Sequence, residues 1–159
     1  MNTAITDSVK RTRHQGGFVL VGILVTLGAL AGGHLLIMRG GAPRPAESEF
    51  GLGPRASQAR MYTATLIPVA PLKTRTMQTV QVSVADAQGQ PIDGAQIAVD
   101  GGMPQHGHGL PTRPRVTRNL GNGLYEIEGV RFNMRGWWEF TLSIATASGT
   151  DRVTFNLSL

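Results

Sequence analysis

Residues 138–157 read WEFTLSIATASGTDRVTFNL and carry the clearest strand pattern in the chain. Apolar residues alternate with polar or small ones on both sides of a central turn: Trp138, Phe140, Leu142 and Ile144, then Val153, Phe155 and Leu157. A period of two places one face of a strand in the core and the other in solvent. The segment Ser-Gly-Thr-Asp at 148–151 supplies turn chemistry between the halves. The stretch therefore predicts an antiparallel β-hairpin.

The same alternation recurs towards the N-terminus, separated by short turns such as Gly-Asn-Gly at 121–123. We predict seven short strands: Met61–Pro68, Val80–Ala85, Ala95–Val99, Arg115–Leu120, Leu124–Phe132, Trp138–Ile144 and Val153–Leu157. One-sided alternation favours antiparallel pairing, because parallel strands are usually apolar on both faces. Closely spaced strands of this kind predict an all-β, immunoglobulin-like antiparallel β-sandwich of about seven strands.

A different pattern occupies residues 18–38, which contain no Lys, Arg, Asp or Glu. These 21 residues would form a helix of roughly 30 Å, enough to cross a bilayer core. Lys10, Arg11 and Arg13 precede the span, which places the N-terminus in the cytoplasm and the rest of the chain across the membrane. A cleaved signal peptide is the rival interpretation, but the apolar segment is long and no Ala-x-Ala site follows it.

These patterns divide the chain into four segments. We predict a cytoplasmic tail over residues 1–17, a transmembrane helix over 18–38, a flexible linker over 39–60 and the β domain over 61–159. The linker is rich in Gly, Pro and Arg and poor in bulky apolar residues, so it predicts no core of its own. The expected location is the bacterial inner membrane, with one span and a periplasmic C-terminal domain.

The basic charge lies mainly near the predicted membrane span. Residues 1–60 carry seven Lys or Arg and three acidic residues, whereas residues 61–159 carry eight and seven. A nearly neutral domain without a dense basic face argues against a nucleic-acid partner. The chain has no cysteine, which excludes disulfides, thiolate metal sites and catalytic thiols.

Candidate metal ligands are concentrated in residues 101–111, which read GGMPQHGHGLP. Met103, His106 and His108 lie within six residues and are separated by glycine and proline. The composition predicts a connecting loop between two strands, outside the packed core. A solvated Gly/His loop without a metal is the alternative interpretation.

The mixture of donors favours copper over zinc. Thioether and imidazole ligands suit Cu(I), whereas zinc usually takes four donors that often include Cys or carboxylate. Asp100 is a weak additional candidate, and Met134 is a more distant one that could equally be a core residue. Trp137 precedes the buried alternation, so we expect it to point outward and to cap a soft cation or contact a partner.

Three motifs resemble those of the YtkA-like/FixH-like family. They are Gly-Met-Pro-Gln-His-Gly-His-Gly-Leu-Pro at 102–111, Leu-Gly-Asn-Gly-Leu-Tyr-Glu-Ile-Glu-Gly-Val at 120–130, and Phe132-x-Met134-x-Gly136-x-Trp138. The resemblance spans about residues 75–157. It implies a small β-sandwich outside the cytoplasmic membrane, linked to copper handling or to the assembly of copper-containing respiratory oxidases. It implies copper ligation by Met103, His106, His108 and Met134.

The leading hypothesis is a membrane-anchored periplasmic module that binds or delivers copper, with Cu(I) favoured, and that serves oxidase assembly. The alternative is a structural or assembly subunit of a membrane protein complex without its own metal. The small-residue spacing of Gly28 and Gly32 and an outward Trp137 motivate this alternative. Either way, we expect another membrane or periplasmic protein as partner. We expect no enzyme, because nucleophile, phosphate-loop and HExxH patterns are missing from the sequence.

Overall fold

The computed structural model describes residues 42–159. The predicted cytoplasmic tail (1–17), the predicted membrane span (18–38) and the first residues of the predicted linker lie outside that range. Among residues 42–159, no helix is both long enough and apolar enough to cross a membrane. The membrane anchor and its orientation remain predictions from the sequence.

The described part of the chain is all-β and antiparallel, as predicted. Its strands are β1 (Arg55–Ala56), β2 (Tyr62–Pro68), β3 (Gln78–Asp86), β4 (Gln96–Met103), β5 (His108–Gly109), β6 (Arg115–Gly121), β7 (Leu124–Val130), β8 (Trp137–Thr146) and β9 (Gly149–Ser158). A three-residue 3-10 turn, Glu47–Glu49, precedes them. All seven predicted strands are present, and the additional strands β1 and β5 have two residues each.

The strands form one hydrogen-bonded path, β1-β2-β3-β7-β6-β4-β8-β9, with β5 paired to β4. The two ends of this path meet. The Gly51 N–H donates to the Asn156 carbonyl (3.0 Å), and the Gln58 N–H donates to the Arg152 carbonyl (2.9 Å). The domain formed by residues 42–159 is therefore nearly barrel-shaped, and the outer edge of β9 is covered.

The hairpin predicted from residues 138–157 is confirmed, and its inward face lines the core of this domain. Strands β8 and β9 pair along their whole length, from Trp137↔Ser158 to Thr146↔Gly149. The inward residues of both strands are almost fully buried: Trp138, Phe140, Leu142, Ile144, Val153, Phe155 and Leu157. Each Å² of apolar surface that these side chains remove from water stabilises the folded state by about 25 cal/mol. This burial is the main contribution of the hairpin to the stability of the domain.

The Gly-Asn-Gly turn joins β6 to β7 in the left-handed conformation that a two-residue hairpin requires. Asn122 has φ 53° and Gly123 has φ 72°, as in a type I′ turn. Asp93 accepts hydrogen bonds from the backbone N–H groups of Asn122 (3.1 Å) and Gly123 (2.8 Å). A Cβ on Gly123 would lie 2.5 Å from the Val84 carbonyl oxygen, so the close approach also requires glycine.

The last part of the predicted linker is attached to the sheet. Ser57 is buried, its N–H donates to the Tyr62 carbonyl (2.8 Å), and its Oγ accepts from the Tyr62 N–H (2.9 Å). These contacts use mainly backbone groups, so the polar composition of the segment did not reveal them. Asp151 accepts hydrogen bonds from the N–H groups of Ala59 (2.9 Å) and Met61 (3.3 Å) and holds the segment in place.

Asp151 makes the stability of the domain depend on pH. Hydrogen bonding by the Ser57 side chain lowers the pKa of Asp151 below its ordinary value of 3.8, burial opposes this shift, and the N–H groups of Arg152, Ala59 and Met61 support it. A carboxyl with a lowered folded-state pKa stabilises the fold above its unfolded pKa and loses this effect as pH falls through the folded pKa.

We expect Asp151→Asn to be less stable than wild type at pH 7, with the difference shrinking as the pH falls below about 4. Urea unfolding at a series of pH values measures this convergence. The exposed Asp100→Asn provides a control. Parallel stability curves for wild type and Asp151→Asn down to pH 2 would contradict the assignment.

Four segments lie at one end of the domain, because consecutive strands run in opposite directions and every second connection therefore falls at the same end. They are Phe50–Leu52, the connection 69–77 between β2 and β3, residues 104–114 between β4 and β6, and the turn 131–136 between β7 and β8. We call this the entry end, since the chain joins the sheet there: the Leu66 N–H donates to the Leu52 carbonyl (2.9 Å).

Candidate metal site

The candidate ligands lie on a short hairpin at the entry end. Met103 ends β4 and stands directly opposite His108 of β5. The turn between them is closed by the N–H groups of His106 (3.0 Å) and Gly107 (2.9 Å), which both donate to the Met103 carbonyl. Gly107 has φ 68°, the left-handed conformation that glycine adopts most readily. The hairpin therefore holds Met103 and His108 side by side.

The prediction that residues 101–111 form a loop outside the packed core was wrong for Met103. This side chain is only 2% exposed and belongs to the hydrophobic core. Two glycines explain the difference. A Cβ on Gly101 would lie 2.5 Å from the Glu139 carbonyl oxygen, and one on Gly102 would lie 2.7 Å from the His108 carbonyl oxygen. The glycine pair thus permits close strand pairing where the composition indicated a loop.

The two histidines lie at the surface beside Met103. His106 is exposed, His108 is half-buried, and their ring centroids are 6.0 Å apart. Each metal-bound nitrogen lies about 2 Å from its ion, so two imidazoles that share an ion have centroids up to roughly 6 Å apart. The observed separation is compatible with a shared ion.

The orientation of His108 is fixed by two contacts. Its ring meets the Trp138 indole edge-on, with centroids 5.6 Å apart. Its Nδ1 lies 3.2 Å from the Gly109 carbonyl oxygen. In the tautomer with the proton on Nδ1, His108 donates to that carbonyl, and Nε2 keeps the lone pair that binds a metal.

The turn that carries Met134 borders the same place. Met134 is half-buried against the core, and its carbonyl accepts a hydrogen bond from the Trp138 Nε1–H (3.0 Å). Two residues later, Gly136 lies so close to Met103 that an added Cβ would be 2.8 Å from the Met103 Cε. The structure thus gathers Met103, His106 and His108 around one hairpin and brings the Met134 turn against it through Trp138.

The prediction that Trp137 points outward was wrong. Trp137 is 3% exposed, and its Nε1–H donates to the Asn156 Oδ1 (3.0 Å). The entering segment covers this face of β8 and β9, because Phe50 bridges to Asn156 and the Glu49 carbonyl accepts from the Asn156 side chain (3.3 Å). Trp138, which the alternation identified only as a core residue, is the indole beside His108.

Asp100 lies away from the other candidates. It is exposed, and it is an odd number of residues from Met103 on the same strand, so the two side chains point to opposite faces. Its carboxylate accepts a hydrogen bond from the Gly101 N–H (2.7 Å). Within residues 42–159, no three His, Cys, Asp or Glu side chains are grouped as a metal site. The candidate site therefore depends on methionine sulfur in addition to imidazole.

Gly136 was missed as a site residue, although it lies in the Met-x-Gly-x-Trp motif. Its φ of 130° is unfavourable for other residues, and the Met103 Cε occupies the space that a side chain would need. We expect Gly136→Ala to lower the free energy of unfolding by about 1–3 kcal/mol through backbone strain and overpacking. Thermal unfolding measures this effect. Gly53→Ala, where the added Cβ meets nothing within 4 Å, is the control, and equal unfolding of both variants would contradict the close packing.

Comparison with known proteins supports the identity of the domain. Residues 56–143, more than half of the chain, match the model of a family described as YtkA-like. None of the curated proteins matches the chain. A solved structure, the ZirS C-terminal domain, is similar at 16% sequence identity with a TM-score of 0.38, over 90% of this chain and 100% of that chain.

Proposed function

Because the chain belongs to the YtkA-like family, we propose that it is a membrane-anchored, periplasm-facing module that binds or delivers copper. The observation that carries the proposal is the pairing of Met103 with His108 across the β4–β5 hairpin, beside His106 and the Met134 turn. In this proposal, copper is cargo that passes to a respiratory oxidase during its assembly.

The donor set fits a soft, monovalent ion. Thioether sulfur and neutral imidazole bind Cu(I) well, and both remain available where thiols would oxidise. His106 and His108 would supply nitrogen from the surface, and Met103 and Met134 would supply sulfur from the core side. Sulfur donors on the core side with imidazoles nearer the surface would suit transfer, since a partner protein could replace the outer ligands first.

We further propose that the scaffold has the immunoglobulin-like arrangement. Only one residue pair, Ala98↔Arg115, joins β4 to β6. Apart from the two-residue strands β1 and β5, this weak junction divides the path into a four-stranded part, β2-β3-β7-β6, and a three-stranded part, β4-β8-β9. The order corresponds to the ABED and CFG sheets of immunoglobulin constant domains. Such a scaffold would keep the candidate ligands in place at one end of the sandwich.

A Cu(I) competition titration against a chromophoric chelator tests the proposal on the full chain in detergent. We expect one Cu(I) per chain, and we expect His106→Asn/His108→Asn to bind at least tenfold more weakly, because it removes both nitrogen donors from the surface. Gln105→Asn, in the same turn, is the matched control. Equal affinity of wild type and the double variant would overturn the proposed ligand set.

A metal-free assembly subunit is the second candidate. An observation that favours it is the exposed apolar surface at the entry end, where Val69 is 63% and Ile67 is 40% exposed. Like the copper module, the proposed assembly subunit would be non-catalytic. Purification of the native membrane complex in mild detergent distinguishes the candidates: co-purification with a stable partner but without copper supports the subunit, and a chain that purifies alone with copper supports the copper module.

A further inference from the structure

The entry end carries an exposed apolar loop, formed by the last two residues of β2 and the four that follow, which the candidate metal site does not use. Residues 67–72 read Ile-Pro-Val-Ala-Pro-Leu, without a polar side chain. Ile67, Val69, Ala70 and Pro71 are all exposed, although Ile and Val side chains are usually buried and contiguous exposed apolar patches often mark interaction sites. The loop ends β2 and begins the connection to β3, so the strands on either side hold it at the surface.

An apolar cavity continues this loop into the domain. It has a volume of about 660 Å³ and lies between the loop, the entering segment and the end of β9. Its apolar lining includes Phe50, Leu52, Val69, Leu72, Leu157 and Leu159. Loop and cavity together form one apolar region that opens on the surface of the entry end.

Cations lie along one side of this apolar region, on two neighbouring segments joined by the bridge between Thr74 and Phe132. Lys73, Arg75, Arg131 and Arg135 are all exposed, and the segments 66–77 and 130–137 that carry them contain no acidic residue. None of the four forms an ion pair with another residue of the described range 42–159. The acidic residues of the entering segment are Glu47 and Glu49, and Glu47 pairs with Arg44 at 3.2 Å. An apolar tip beside a group of exposed cations is complementary to an anionic phospholipid surface.

We propose that the entry end docks on the anionic phospholipid bilayer, with residues 67–72 inserted at the level of the headgroups and acyl boundary and the four cations against lipid phosphates. The tether is short enough for this contact. Residues 39–49 are eleven residues, which reach at most roughly 40 Å from the predicted span to Phe50. The inference rests on the membrane anchoring in the proposed function and is independent of copper.

Docking would give the candidate metal site a defined orientation. The β4–β5 hairpin and the Met134 turn belong to the same end of the domain as the apolar loop. The histidines would therefore lie close to the membrane surface, where the metal centre of an integral membrane partner could receive an ion. Release from the lipid would expose the same end to soluble partners.

The absence of native cysteine permits a direct test with the full chain in lipid nanodiscs. An environment-sensitive fluorophore is attached to Val69→Cys, or to Ala87→Cys in the exposed turn at the opposite end, as the matched control. We expect the fluorophore at position 69 to emit more strongly and to be quenched by spin-labelled lipid in discs with phosphatidylglycerol. We expect weaker emission there in discs of phosphatidylcholine alone and no lipid response at position 87.

Removal of the cations distinguishes docking on anionic lipid from non-specific binding of the apolar loop to any bilayer. In Lys73→Gln/Arg75→Gln/Arg135→Gln, the ratio of docked to free domain should fall about fivefold for each cation removed. Equal emission from positions 69 and 87 in anionic discs would overturn the proposal. Carbonate extraction tests the anchor separately: a chain that leaves the bilayer overturns both anchoring and docking. A Cu(I) titration of the same discs measures metal binding independently. An absence of Cu(I) binding would therefore count against the proposed metal site but not against lipid docking.

Discussion

Replacing Trp138 with alanine should lower the free energy of unfolding by about 3–5 kcal/mol, the range for large aromatic side chains in cores. Trp138 is fully buried and packs edge-to-face on Phe132, with ring centroids 5.2 Å apart. Its loss leaves a cavity beneath the β4–β5 hairpin and removes the ring against which His108 is oriented. The Met134 carbonyl also loses its hydrogen-bond donor.

Chemical denaturation of wild type and Trp138→Ala measures the loss of stability. The Cu(I) affinity of the folded fraction measures the effect of losing the ring against which His108 is oriented. Trp138→Phe keeps an aromatic ring but no N–H group, so it should recover part of the stability while leaving the Met134 carbonyl without its partner. Leu120→Ala, at a 40% exposed position, is the control for a general effect of truncation. A loss below about 1 kcal/mol for Trp138→Ala would contradict the packing described above.

Replacing both candidate sulfur donors with leucine should weaken Cu(I) binding by about 100-fold while leaving the fold nearly as stable. Leu and Met have similar volumes, so such exchanges usually cost less than 1.5 kcal/mol each. Alanine would be a poor choice at Met103, because this buried side chain contributes to the core and its truncation alone would cost about 2–5 kcal/mol. Met103→Leu/Met134→Leu therefore separates ligation from packing.

The Cu(I) competition titration measures this loss. Met77→Leu is the matched control, since Met77 is 58% exposed and carries the same thioether outside the candidate site. The double variant should bind like an imidazole-only site, and Met77→Leu should bind like wild type. An unchanged affinity in the double variant would show that neither sulfur is a ligand.

Much of the fold is predictable because alternation is a local property. The hairpin of residues 138–157 and the turn at Asn122 and Gly123 follow directly from period and turn chemistry. The two short strands do not, since two residues cannot display a period. The attachment of residues 50–60 to β9 could not be predicted from the sequence either, because backbone groups, which every residue has, make most of those contacts.

The sequence predicted which residue types could form the candidate site, but it did not predict how deeply each side chain is buried or what it packs against. The glycines around Met103 indicated a loop, whereas they serve close packing against β5 and β8. Trp137 was expected outside because it precedes the alternating residues, but the entering segment covers its face. Both errors have one cause: whether a side chain is buried depends on segments that are distant in the sequence.

Copper K-edge X-ray absorption of the Cu(I)-loaded full chain tests our proposal that Met103 and Met134 bind copper together with His106 and His108. We expect a Cu(I) edge with both sulfur and imidazole-nitrogen scatterers, and loss of the sulfur contribution in Met103→Leu/Met134→Leu. A spectrum of stoichiometrically loaded protein without sulfur scatterers, or one that the double variant leaves unchanged, would contradict it.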